Sequence, residues 1–466
     1  MKGIRARIDG WISGLLRSRA GFAWKWLFLM LAGGWMIYSN PFGIGAATDR
    51  ASEQAIYRMT SGWYDSEPGQ RSILVVLFND RSIDNLYPAF WQANDWPLSY
   101  LDQVNLLSIL MEQNPQALFY DVMWMKRRSV DPSFERAMQK LERTQQLTGV
   151  PLLLASGTVD GPLEPELAER LQRFAEPVIN GWEAVGDYYP LQVQGRTTAA
   201  MALYQHYCEE VGCAPTADAF SVPMSVRWSS IPAPALVEHR RDQCRQTDSG
   251  LVSALLALPV KLFEGAFQSF IDSSEVPVCA PQRVLYADEL MALARSPDPE
   301  QRQQLHDWIN GSLVLVGGQI EGLHDYVVSP VHGTLPGVFF HAMALDNLMA
   351  SGEGYIRDGA RAQPLLLLFW GIFCMALIAL RSGRARAIGW TRRLGDSYWL
   401  LGGGFVLLML VFSYGWLHLA PAGWISLLAM GWAGMLLLER LDRHSPYPDP
   451  YQDPSPDPIN QEGESR

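Results

Sequence analysis

Several things that would mark an enzyme are missing from this chain. The 466 residues contain no glycine-rich phosphate loop, no nucleophile elbow and no kinase signature. No internal repeat is present. Positive charge is in the minority, with 37 Lys and Arg against 48 Asp and Glu and a formal net charge of −11. Nucleic acid is excluded as a partner, because displacing its counterions needs clustered cations. Cysteine is scarce, at five residues. None lies near the first apolar run, which excludes a lipid-anchored cysteine there. His324, His332 and His341 stand 8 and 9 residues apart, spacings that suit no single helix face. They indicate no metal site, and nothing indicates a cofactor.

What is present is an uneven distribution of apolar residues. One run, Trp26–Tyr38, lies near the start, and three more, Leu365–Leu380, Tyr398–Ala420 and Trp424–Leu438, lie near the end. A bilayer core takes about 20 apolar residues per helix, so these are read as four membrane spans: 26–44, 364–380, 398–420 and 423–438. Lys2, Arg5, Arg7, Arg17, Arg19 and Lys25 precede the first, and Arg381, Arg384, Arg386, Arg392 and Arg393 follow the second. Short loops rich in Lys and Arg stay in the cytoplasm. The basic N-terminus (1–25), the basic loop (381–397) and the tail (439–466) are therefore expected inside, and residues 45–363 outside. The expected location is a bacterial inner membrane with a periplasmic main domain. The rival for the first run is a cleaved signal peptide ending near Gly45-Ala-Ala47. From Ser445 the tail is rich in Pro and Asp and is expected to be disordered. Residues 26–380 hold 23 basic against 39 acidic residues, which gives no reason for attraction to anionic headgroups.

The outer region reads as an α/β domain, a mostly parallel sheet flanked by helices, joined to α-helical transmembrane segments. Ser72–Phe78 and Ser312–Val316 are continuous apolar runs, as in strands buried on both faces. Ala117–Tyr120 and Val150–Leu154 are shorter runs of the same kind. Helical spacing over Leu101–Met111, Pro132–Leu147 and His341–Ala350 separates or follows them, and strands alternating with helices favour a parallel sheet. The pattern blurs over 178–307, which holds Cys208, Cys213, Cys244 and Cys279 and is read as an elaboration of the domain. Four cysteines in an oxidising compartment suggest two disulfides, with three pairings open. Four reduced, buried thiols are the alternative.

Together these residues resemble a CHASE2 domain, an extracytoplasmic sensory module of bacterial receptors. The resemblance rests on Val75-Val-Leu-Phe-Asn-Asp-Arg-Ser82, Trp96-Pro97, Phe119-Tyr-Asp121 and Gly311-Ser-Leu-Val-Leu-Val-Gly-Gly318. It continues through Asp325, Ser329-Pro330, Leu335-Pro-Gly-Val338 and His341-Ala342. Such domains are often followed by three membrane helices and then a cytoplasmic cyclase or kinase. Here Asn79 stands where the family often has Asp, and no output domain is expected after the last span.

Asp80 and Asp121 each come just after an apolar strand, and ligands of parallel sheets collect at the strands' carboxyl ends. With Asp325, Trp96 and His341 they form the candidate ligand site. The competing role is structural, because Asp caps helices and turns well. No catalytic or metal-binding residues are expected, and the protein is not expected to be an enzyme. The expected function is a membrane-anchored sensor of an unidentified extracytoplasmic ligand, passing its signal to a separate cytoplasmic or membrane partner. The family's outputs work in pairs, so a homodimer is also expected. The alternative is an envelope interaction protein that does not switch.

Overall fold

A computed structural model describes residues 19–39, 44–64, 67–92, 94–159, 163–181, 188–233, 279–320, 322, 325–359, 363–381, 398–421 and 423–443. Cys244, His324, the expected loop 381–397 apart from Arg381, and the expected tail 439–466 beyond Arg443 lie outside the described residues. The chain divides into two compact units, Gln54–Asp358 and a second made of Met1–Glu53 with Gly359–Arg466.

The first unit is built on a six-stranded sheet. Its strands are β1 (Ile73–Asn79), β2 (Ala117–Tyr120), β3 (Leu152–Ala155), β4 (Glu176–Val178), β5 (Arg283–Tyr286) and β6 (Leu313–Gln319). Their order is β4-β3-β2-β6-β1-β5, and every pairing is parallel. Alternation of side chains along each strand explains the layers. Leu74, Val76, Phe78, Leu118, Tyr120, Val314 and Val316 point to one face. There they pack with residues of helices α1 (Asp80–Leu86), α2 (Tyr100–Glu112), α3 (Phe134–Thr148) and α4 (Pro165–Leu171). Ile73, Val75, Leu77, Phe119, Leu153 and Leu315 point to the other. They meet α5 (Ala199–Val211) and the helix Val338–Ser351. Helices α6 (Ala287–Ala294) and α7 (Pro299–Ile309) close the first face beside β5. We call Val338–Ser351 α8. Each fully buried Leu, Ile, Val or Phe contributes roughly 1.5–3 kcal/mol relative to exposure, so these two cores carry the unit's stability.

Two glycines fix the approach of α8. A Cβ on Gly317 of β6 would collide with the side chain of Val338, and one on Gly337 would collide with the Asp325 carboxyl. Gly337 has ordinary helical dihedrals (φ −56°, ψ −33°). Close approach, not backbone freedom, is what requires glycine there. The Pro336-Gly337-Val338 stretch thus lets α8 start directly against β6 and the hairpin β7 (Tyr326–Ser329) and β8 (Gly333–Pro336).

The region 178–307 is not simply an elaboration, since β5 is an edge strand of the main sheet and α6 and α7 pack on that sheet. Cys208 and Cys213 are joined, bridging the end of α5 to the turn after it, and Cys279 is also disulfide-bonded.

The second unit is helical, with helices Arg19–Ser39, Gln363–Arg381, Tyr398–Met409 and Trp424–Arg443. Among the described residues, no helix is long and apolar enough to cross a membrane, so the four expected spans gain no support here. The physical reason is clearest for 398–420, where the α-helix ends at Met409 and a π-helical turn, Leu410–Tyr414, comes next. Helix Arg19–Ser39 likewise stops short of Ile44, where a separate helix, Ile44–Thr60, begins. Two indoles tie helices together. Trp26 Nε1–H donates to the Gly371 carbonyl (3.0 Å), and Trp370 Nε1–H to the Leu29 carbonyl (2.9 Å). A Cβ on Gly33 would strike the Trp370 ring, and one on Gly434 would strike the Leu29 side chain.

Candidate functional site

The carboxyl edge of the sheet gathers one polar cluster. β2 ends at Tyr120, and the next helix begins only at Phe134. Asp121 therefore continues the strand in extended chain, its N–H donating to the Val316 carbonyl of β6 (2.8 Å). Its carboxyl is buried. Asn180, two residues beyond β4, donates its Nδ2–H to Asp121 Oδ1 (2.9 Å). The Asn180 amide oxygen in turn accepts the Gly157 N–H after β3 (2.9 Å). Three neighbouring strand ends are thus connected through two side chains.

His341 faces Asp121 from the first turn of α8. Its Nε2 lies 3.7 Å from Asp121 Oδ2, longer than a hydrogen bond, and its ring stands edge-on to Phe119. Its Nδ1 is 2.7 Å from the Tyr189 hydroxyl, and that hydroxyl accepts the Ala200 N–H at the start of α5 (3.0 Å). If Nδ1 accepts the phenol proton, the imidazole carries its own proton on Nε2, toward Asp121. Asp325, just before β7, is exposed as a residue, but its carboxyl rests against Gly337 at the head of α8.

Burial dominates the electrostatics. It pushes the Asp121 pKa up to about 7, against the opposing pull of the Asn180 hydrogen bond. Loss of hydration, then the charge of Asp121, raise Asp325 to about 6, with His341 acting in the opposite sense. Burial lowers His341 to about 4, partly offset by Asp325. It also raises the Tyr189 pKa, which keeps the phenol protonated. Near pH 5 Asp121 and His341 are therefore both neutral, and the contact between them is not an ion pair.

The five expected site residues do not come together as a set. Asp121 and His341 face each other, and Asp325 is near enough to feel the charge of both. Asp80 is exposed in the first turn of α1, where the capping role falls to Asn79, whose Oδ1 accepts the Ser82 N–H (2.8 Å). Trp96 is half-buried and stacks on Phe78 at the end of β1, with ring centroids 5.3 Å apart. Asn180 and Tyr189 were not among the expected residues. Neither carries a local signal, since their partners lie 59 and 152 residues away in sequence. Among the described residues, no group of three or more His, Cys, Asp or Glu side chains could hold a metal ion.

The family model of the CHASE2 domain matches residues 29–380, so the match takes in the whole α/β unit. The chain belongs to the CHASE2 domain family. Neither a curated protein nor a solved structure matches it.

Proposed function

From membership of a family of extracytoplasmic sensory domains, we propose that the α/β unit is the receiving part of a sensor held at a membrane. Its recognition site is the edge that holds Asp121, His341 and Asp325. The observation that carries this is the joining of separately folded segments through titratable side chains at a strand-end edge, the place where parallel sheets take ligands. A ligand that binds one arrangement of these segments better than another shifts the population toward it, and that is all a sensor requires. The reading is non-catalytic: the Tyr189 hydroxyl and the His341 ring are occupied with each other and withdrawn from solvent.

Membrane attachment is supported by the apolar side chains turned outward on the helical unit. Leu27, Phe28, Leu31 and Trp35 are exposed on helix Arg19–Ser39, and Leu368, Ile372 and Met375 on helix Gln363–Arg381. Leu407, Leu408 and Val411 continue the pattern. Contiguous apolar surface of this kind is rare on a water-facing protein. Basic residues stand before and within the start of the first helix, at 17, 19 and 25, and at and past the end of the second, at 381, 384 and 386, consistent with both ends lying in the cytoplasm. A separate cytoplasmic or membrane protein then receives the signal through residues 381–397 or 439–466.

In-cell crosslinking and purification of the full chain from native membranes test this. Crosslinks from 381–397 or the tail to a kinase, a cyclase or their adaptor are expected. Crosslinks confined to residues 54–358 and to envelope proteins would instead make the chain a platform that does not signal.

A further inference from the structure

We propose that the Asp121–His341–Tyr189 cluster, with Asp325 at its mouth, is a proton-responsive switch that loosens the hold of α8 and α5 on the sheet edge as protons leave. The proposal rests on the sensor reading only in placing the signal at this edge; the switch itself is a property of the fold.

Its geometric basis is that every arm of the cluster belongs to a different segment. Asp121 extends β2, Asn180 lies past β4, Tyr189 lies in the short strand Tyr188–Tyr189, His341 is in α8 and Asp325 precedes β7. Tyr189 joins two of the arms through one hydroxyl. It accepts from Ala200 of α5 and shares a hydrogen bond with His341 Nδ1 of α8. Any change in what His341 can accept, or in the charge beside it, is felt by both helices.

Among the described residues, these polar groups lie at the cluster. From β2 and β6 come Asp121 and the Val316 carbonyl. From β3 and β4 come Ser156, Gly157 and Asn180. Arg196, in the short strand Arg196–Thr197 before α5, donates to Ser156 Oγ (3.0 Å). Thr198, just ahead of α5, brings its hydroxyl to Tyr189. α8 contributes His341 and the segment before β7 contributes Asp325. Phe119 and Phe340 pack against the His341 and Tyr189 rings. As pH rises through about 6 to 7, Asp325 and Asp121 ionise as an interacting pair. Two negative charges then develop beside a neutral imidazole, with the Asn180 amide donating to the buried one.

Both carboxyls hold protons more tightly folded than unfolded, so their stabilisation is complete below the ordinary carboxylate range and is lost as pH rises through 6 to 7. His341 acts oppositely: its folded pKa is depressed, so its stabilisation is complete above about 6.5 and lost as pH falls toward 4. Two carboxyl protons outweigh one imidazole proton, so the cluster is tighter at pH 5.5 than at pH 7.5.

Hydrogen–deuterium exchange on the full-length protein in lipid discs, corrected for intrinsic pH dependence, provides the test. Between pH 5.5 and 7.5 the wild-type amides at 199–203 and 338–348 should open roughly tenfold more often, the factor given by a net difference of about half a linked proton per pH unit once His341 offsets the two carboxyls. Asp121→Asn should cut this to less than about twofold, and Asp325→Asn to about twofold, on the same linkage. Asp80→Asn should leave it unchanged. Should Asp121→Asn not fold, Asp325→Asn, altered at an exposed residue, carries the same comparison. A flat wild-type profile, or a full response in both cluster variants, overturns the switch. A full wild-type response that Asp121→Asn removes while partner crosslinks stay the same upholds the switch and removes the sensor reading.

Discussion

Asp80 and Asp121 look alike in sequence, each an aspartate just past a buried apolar strand, yet the fold treats them oppositely. β1 runs straight into α1, so Asp80 falls in a helical first turn, exposed, with Asn79 as cap. After β2 the chain stays extended, so Asp121 remains at the sheet edge and α8 closes over it. The conformation of the chain just past a strand decides whether its terminal acid becomes a surface group near a helix dipole or a buried carboxyl with a raised pKa. The strand itself does not.

The contrast can be broken by substitution. Asp121→Ala removes the acceptor for Asn180 and leaves a buried void beside His341. A loss of about 3 kcal/mol is expected in chemical denaturation of the full chain, from the orphaned donor and the missing volume together. Gly337→Ala drives a methyl into the Asp325 carboxyl and should cost about 1–2 kcal/mol in the same assay. It should also return Asp325 toward an ordinary carboxylate, flattening part of the fall in thermal stability between pH 5.5 and 7.5. Asn79→Ala deletes the α1 cap and should cost about 1 kcal/mol. Asp80→Ala should cost less than about 0.5 kcal/mol, as for an exposed first-turn residue. Equal losses at positions 80 and 121 would show that the two strand ends are equivalent after all.

Legibility tracked burial. β1, β2, β3 and β6 lie inside the sheet, are covered on both faces, and so appear in sequence as unbroken apolar runs. β4 and β5 are the edge strands. Their residues Glu176-Pro-Val178 and Arg283-Val-Leu-Tyr286 are only partly covered, so no apolar run marked them. The candidate site was legible only in its acids and His341. Asn180 and Tyr189 reach it through tertiary contacts that no local pattern encodes, whereas Asp80 and Trp96 shared the expected motif but were drawn to the end of β1. The spans were read from composition, which does not register where a helix stops, as at Met409.

The most direct measurement is in-cell crosslinking from residues 381–397 and 439–466, compared across wild type, Asp121→Asn and Asp80→Asn. The expected result is capture of a cytoplasmic or membrane signalling protein, at a yield that changes in Asp121→Asn and not in Asp80→Asn. Equal yields in all three, or capture of envelope proteins alone through residues 54–358, would contradict a sensing edge at Asp121.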